Sequence, residues 1–229
     1  LLGIKHTSAP FYQMALTFNK RDTLSVVRAY GVRTATSYYL NQGDKMNMVS
    51  IIEKVGLPCF VKPNESGSSI GISRVAEAHE LWPAIEEART TGTSTVLIEA
   101  LLPGREFTCG VIPNGDGGLQ ALPVTEIVTD NAFFDYAAKY DGQSHEITPA
   151  ELGDDDTAML QRTAVQVYQT LHLQGMARVD MMMEEGGEPH VIEINTVPGF
   201  SAQSIIPQQA EVAGMDKTAL ISRLIDDAF

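Results

Sequence analysis

Asp180 and Glu193 stand in two apolar-rich runs, Ala177–Met183 and His190–Asn195, joined by Glu184-Glu185-Gly186-Gly187-Glu188-Pro189. The Gly-Gly pair predicts a β-hairpin with a two-residue turn, because glycine accepts the positive φ that such turns need. A turn centred between Gly186 and Gly187 sets Asp180 directly opposite Glu193. It also sets Arg178 opposite Asn195, one step along the same face. Pro189 then falls at a non-hydrogen-bonded position, where its missing N–H costs little. Two opposed carboxylates repel unless a cation lies between them. Oxygen donors with an Asn carbonyl, and no His or Cys, suit Mg²⁺ or Mn²⁺ held together with substrate phosphates. The competing reading is a hairpin whose acids simply face water.

A second candidate is the loop Asn64-Glu65-Ser66-Gly67-Ser68-Ser69. Serine and glycine in succession present N–H groups and hydroxyls that cradle phosphate oxygens, and Lys62 just before them supplies a point charge. The spacing is not that of a Walker P-loop and the loop joins two strands, which disfavours that NTPase class. A plain hairpin turn is the alternative. Glu99 and Glu106 each follow a strand or turn, and Lys139-Tyr140 stand in an aromatic loop; solvent exposure accounts for all four as well. Arg178 shares the face of the acidic pair and suits a developing oxyanion. Pro198-Gly199-Phe200-Ser201-Ala202-Gln203-Ser204 makes a tight turn before a helix, fit for a carboxylate, unless Ser204 is an ordinary N-cap.

Several elements are needed to hold these groups. Asn19 caps a helix running to about Tyr30, with Leu24 and Val27 inward and Gly31 as its stop. Met46, Val49, Ile52 and Val55 give a second helix, closed by Gly56 and Pro58. Residues 59–62 and 70–75 read as paired strands, and 95–99 and 107–112 as further ones. Residues 77–90 are helical, with a kink or late start at Pro83. Residues 154–174 form a helix capped by Asp154-Asp155-Asp156 and stopped at Gly175. The last helix starts near Asp216, with Leu220, Ile221, Leu224 and Ile225 inward. The polar stretch 128–153, with Phe133, Phe134, Tyr136 and Tyr140, is expected to be a packed mobile loop or lid. Strands and helices mix without regular βαβ alternation, so the fold class is α+β with antiparallel sheets. A boundary near Glu99 gives two units, 1–99 and 100–229.

Composition narrows the function. The 229 residues are 44% apolar, enough for a real core. A formal charge of −13 argues against nucleic-acid or membrane-surface partners, so an anion must be caught by local groups. Cys59 and Cys109 are far apart and form no CxxC pair, which predicts buried free thiols in a reducing cytoplasm. No apolar run reaches membrane-spanning length.

These segments occur in an order that closely resembles the D-alanine:D-alanine ligases of the ATP-grasp superfamily. The matching stretches are Val61-Lys62-Pro63…Gly67-Ser68-Ser69-Ile70-Gly71, Val96-Leu97-Ile98-Glu99…Pro103-Gly104-Arg105-Glu106, Phe134-Asp135-Tyr136…Lys139-Tyr140, Ala177-Arg178-Val179-Asp180 and Glu193-Ile194-Asn195-Thr196…Pro198-Gly199. The resemblance covers the chain from Asn19 onward. It implies two α+β subdomains whose antiparallel sheets grip ATP, with Lys20, Lys62, Ser68, Ser69 and Lys139 around the nucleotide. It implies Glu99 and the Ala100, Leu101 and Leu102 backbone at the adenine, and Glu106 at the ribose. Asp180, Glu193 and Asn195 are implied ligands of two Mg²⁺ ions, with Mn²⁺ as substitute. Arg178 and the Gly199 N–H are implied to stabilise the oxyanion as one D-alanine amine attacks the acyl phosphate of the other. Ser204 is implied to hold the second substrate's carboxylate. Tyr140, hydrogen-bonded to Ser68 on loop closure, is implied to mark the dipeptide-forming type, because a His commonly replaces it in relatives that use D-lactate.

The implied setting is cytoplasmic peptidoglycan precursor synthesis, serving cell wall and cell shape, with a homodimer as the family's usual assembly. Relatives carry a further N-terminal domain with a Glu that helps bind the first D-alanine. Nothing in this chain corresponds to it, and the chain opens Leu1-Leu2 without a Met, so the expectation is a ligase lacking that domain. Two other readings stay open: an ATP-grasp enzyme joining a different carboxylate and amine, and a nucleotide-binding fragment that turns nothing over.

Overall fold

Helix α1 (Phe11–Phe18) runs directly into α2 (Lys20–Ala29), which starts where the Asn19 side chain accepts the Asp22 N–H at 3.0 Å. The computed structural model describes residues 3–129 and 144–228. Strand β1 (Ser37–Asn41) follows, then α3 (Met48–Val55), β2 (Cys59–Pro63), β3 (Ser73–Val75), α4 (Leu81–Thr90) and β4 (Thr95–Ala100). The second half supplies β5 (Arg105–Pro113), β6 (Leu119–Ala121), β7 (Thr125–Thr129), β8 (Ser144–Ile147), α5 (Asp154–Thr170), β9 (Ala177–Met183), β10 (His190–Asn195), α6 (Ile205–Val212) and α7 (Lys217–Ala228).

Among the described residues these strands make a four-stranded sheet, β1-β4-β2-β3, and a six-stranded sheet, β10-β9-β5-β7-β8, with β6 on β5. Their pairings are antiparallel, so the class is α+β. One core lies between the first sheet and α3 and α4, built on Leu40, Ile51, Leu81, Ile85 and Ile98. A second lies between the six-stranded sheet and α2 and α5, around Leu24, Val27, Phe107, Leu160, Val167 and Met181. Ile206, Leu220 and Leu224 of α6 and α7 form a third with Ile112 and Leu122. Helices α1 and α2 thus pack on the second sheet although they precede the first in sequence.

Several helical details differ from expectation. Helix α3 begins only at Met48, capped by Asn47, and buries Ile51 and Val55, whereas Val49 is 65% exposed. The late start at Pro83 holds: a short 3₁₀ turn at Ala78–Glu80, with a Glu77/Glu80 capping box, comes first, and Pro83 falls in the first turn of α4. Gly153, not an aspartate, is the N-cap of α5; the three aspartates occupy its first turn, where the helix dipole favours them. Helix α5 also ends at Thr170, short of Gly175. In α7 only Leu220 and Leu224 are buried, and Ile221 and Ile225 face out.

The β9–β10 hairpin reaches the expected register by another route. Gly187 N–H donates to Glu184 O at 2.9 Å and Gly186 has a φ of 65°, so the turn spans residues 184–187 and is not a two-residue Gly-Gly turn. Pro189 lies outside the ladder. The pairing His190↔Met182 and Val191↔Met181 then shifts at a bulge between Val191 and Glu193, which restores Asp180 opposite Glu193 and Arg178 opposite Asn195.

Candidate active site

The bulge matters because it turns Glu193 and Asn195 onto the face that carries Arg178, Asp180 and Met182 of β9. Arg178 grips Asp180 with a fork, Nε to Oδ1 and Nη2 to Oδ2, each 2.8 Å. Thr108 Oγ1, on β5, donates to the same Oδ1 at 2.6 Å. Burial disfavours the guanidinium charge, yet Asp180, aided by Glu193 and Glu146, holds the Arg178 pKa above its ordinary value. A guanidinium carries more N–H groups than this fork uses, so Arg178 can serve Asp180 and a ligand together.

The opposite wall comes from the first sheet. Lys62 Nζ lies 2.7 Å from Glu99 Oε2, and Ser37 Oγ donates to Oε1 at 3.3 Å. Burial works against the Lys62 charge, but Glu99, with Glu193 and Glu106, more than offsets it and raises the pKa. The N–H groups of Ala100 and Leu101 already bond Thr36 O and Pro58 O, at 2.9 and 3.3 Å. Ala100, Leu101 and Leu102 all line the cleft.

The serine–glycine loop is no plain hairpin turn, since the β2–β3 pairing stops at Val61↔Ser73. Ser68 and Ser69 hold φ of 54° and 59°, a left-handed conformation uncommon outside glycine and typical of functional loops. Its base is tied to α2: Asn64 Oδ1 accepts the Arg21 N–H at 2.7 Å, and Lys20 Nζ donates to Ser66 O at 2.6 Å. Lys20 Nζ is also 3.3 Å from Glu193 Oε1.

Past β10, Thr196 Oγ1 meets Thr17 Oγ1 of α1 at 2.9 Å. Ser204 occupies the N-cap position of α6 but makes no side-chain cap bond. Its hydroxyl instead accepts the Ser201 N–H at 3.0 Å. Gly199 permits this packing, because a Cβ there would come 2.9 Å from Ser204 Oγ.

All of these groups line one cleft of about 1170 Å³ between the sheets: Lys20, Lys62, Ser68, Ser69, Glu99, Ala100, Leu101, Leu102, Glu106, Arg178, Asp180, Glu193, Asn195, Gly199 and Ser204. Lys139 and Tyr140 lie outside the described residues. Sequence reasoning passed over Phe60, Met182, Ile192 and Thr108, which line the same cleft. Period-two alternation from Lys62 finds Phe60 and from Asp180 finds Met182; Thr108 leaves no local signal. Among the described residues no three His, Cys, Asp or Glu side chains gather as a metal cluster. The candidate set is two opposed carboxylates completed by an Asn amide, an all-oxygen set that fits a hard divalent cation whose shell is finished by phosphate and water.

Two antiparallel sheets closing on one cleft, with a serine–glycine loop on one wall and an Asp/Glu/Asn face on the other, define the ATP-grasp class. Residues 21–226 match the family described as D-ala D-ala ligase C-terminus. The chain is 49% identical over 226 residues to a D-alanine–D-alanine ligase of Flavobacterium johnsoniae, spanning 99% of this chain and 69% of that one. The solved D-alanine–D-alanine ligase of Bacillus anthracis superposes with a TM-score of 0.86 at 31% identity, covering 99% of this chain and 72% of its own. A structure of the Bacillus anthracis ligase complexed with ATP superposes with a TM-score of 0.83 at 29% identity, covering 99% and 71%. The chain belongs to the D-alanine–D-alanine ligase family, in the part that carries the family's C-terminal region.

Proposed function

We propose that this chain binds ATP and two D-alanines and joins them to D-alanyl-D-alanine through an acyl phosphate, in the cytoplasm, for peptidoglycan precursors. The observation that carries this reading is the convergence of the serine–glycine loop, Lys20, Lys62 and the Asp180/Glu193/Asn195 face on one cleft. Glu99 and the Ala100 to Leu102 backbone hold the adenine, against the apolar sides of Phe60, Met182 and Ile192, and Glu106 holds the ribose. Lys20, Lys62 and the Ser68–Ser69 backbone neutralise the phosphates. Asp180, Glu193 and Asn195 hold two Mg²⁺ ions, which when bound offset phosphate charge during transfer. The free N–H groups of Arg178 and the Gly199 N–H stabilise the oxyanion formed when the amine of the second D-alanine attacks the acyl carbon. Ser204, at the start of α6, orients the second carboxylate. Lys139 is assigned to ATP and Tyr140 to the substrates. Residues 37–100 form one unit around the four-stranded sheet, while the segments on either side join around the six-stranded sheet as the other, and two copies pair as a homodimer.

ADP release measured with D-alanine, with L-alanine and without acceptor tests the reading. Release that depends on D-alanine supports it, and release indifferent to the amino acid overturns it. Asp180→Asn is expected to abolish that release; near-normal turnover would remove the metal assignment.

A further inference from the structure

Gln209 lies on α6 with no exposed surface, and its amide bonds three groups of the six-stranded sheet. Nε2 donates to Thr108 O and to Thr125 Oγ1, each at 3.0 Å, and Oε1 accepts the Gly110 N–H at 2.9 Å. These contacts fall where β5 changes partner, between Thr108, which pairs with β7, and Val111, which pairs with β6. The side-chain amide fills that gap as the peptide group of a neighbouring strand would. Gly110 is matched to it: a Cβ there would sit 2.7 Å from Gln209 Oε1 and 2.9 Å from Leu122 Cδ1.

A buried amide is costly to leave unpaired, so this one fixes how α6 docks on β5. Helix α6 begins just after Ser204, and Thr108 is the residue whose hydroxyl holds Asp180 Oδ1 at 2.6 Å. The neighbouring Gln208 reinforces the same helix start, donating from Nε2 to Gln203 O at 2.8 Å and to Glu146 Oε2 at 3.2 Å.

We infer that Gln209 is a positioning residue: acting through Thr108, it holds the Asp180 carboxylate and the Ser204 helix start at one fixed separation. It touches no reactant. The inference rests on the ligase reading of the cleft and deepens it by naming what keeps the metal-binding acid and the acceptor's carboxylate site in register.

The test uses the full chain with Gln209→Met, Gln209→Glu, Thr108→Val and the Gln209→Met/Thr108→Val double variant. Calorimetry of ATP binding across a Mg²⁺ titration gives the Mg²⁺ needed for half-maximal binding, and thermal unfolding is recorded alongside. Thr108→Val is expected to raise that requirement about tenfold and Gln209→Met at least about threefold. The double variant is expected to match the larger single effect, because both changes act on one chain of contacts. A merely structural glutamine would lower the unfolding midpoint and leave the Mg²⁺ requirement alone; that result, or additive effects in the double variant, overturns the inference. Gln209→Glu keeps the shape and the acceptor for Gly110 N–H while losing the donors, so it reports even if the Met variant does not fold. ATP binding by the unaltered chain separates the two failures: its absence at every Mg²⁺ concentration sinks the ligase reading itself.

Discussion

Lys20 Nζ stands 3.3 Å from Glu193 Oε1 while donating to Ser66 O at 2.6 Å. One ammonium therefore joins the first residue of α2, the serine–glycine loop and the acidic face of β10. Lys20→Met removes a charge-assisted donor from both partners at once, and such a bond contributes about 1.5–3 kcal/mol. ATP affinity measured by calorimetry is expected to fall at least about tenfold. An unchanged dissociation constant would take Lys20 out of the nucleotide site.

Lys62 and Glu99 form an ion pair with Nζ 2.7 Å from Oε2, and Glu99 is 2% exposed. Lys62→Met leaves that carboxylate without its cation and is expected to destabilise the chain by about 3–5 kcal/mol. Adding Glu99→Gln should recover a large part of the loss, read as the midpoint of urea unfolding. Because the folded pKa of Lys62 is raised, the pair stabilises fully below the ordinary lysine value of about 10.4 and weakens only as pH climbs through the higher folded value.

Arg178 is expected to resist even conservative replacement. A lysine at 178 offers a point charge where a planar fork now holds both Asp180 oxygens and keeps N–H groups for a ligand. Arg178→Lys should lower kcat by about 10²–10³-fold at saturating Mg²⁺, with little change in the ATP affinity measured there. Equal losses in both would instead place the residue in ground-state binding.

Burial pushes the Cys59 thiol up to about 11 and the Cys109 thiol up to about 12. Above the ordinary thiol value of about 8.5, the unfolded chain releases protons that the folded chain retains. Stability therefore falls as pH rises from there toward 11, by up to about 1.4 kcal/mol per unit for each thiol. Native protein should react with neither thiol at neutral pH in a dithionitrobenzoate assay. In Cys59→Ala/Cys109→Ala the alkaline slope of unfolding free energy should flatten.

Local chemistry made much of this legible. Asn19 capped its helix as expected, Pro83 delayed another, and the apolar runs around Gly186-Gly187 paired Asp180 with Glu193. That last agreement is instructive, because a longer turn and a bulge offset each other. Both Val191 and Ile192 are apolar, so nothing in the sequence shows which residue is extra. Helix phase was harder: Val49 and Ile221 fit an apolar stripe yet are exposed, while Ile51, Val55, Leu220 and Leu224 are the residues buried. Thr108 and Gln209 stayed hidden for another reason. Their partners lie far along the chain and meet only after the six-stranded sheet has assembled.

The path of the backbone sets what counts as a removable piece of this molecule. Since α1 and α2 already belong to the far sheet, residues 37–100 are a detour inserted into a body that starts before them and resumes after them. Ala100 N–H reaches Thr36 O at 2.9 Å, so the detour leaves and rejoins at the same doorway. Severing the chain at that doorway would strip Leu24 and Val27 from their neighbours, whereas lifting out the detour and splicing its two shores would leave them in place.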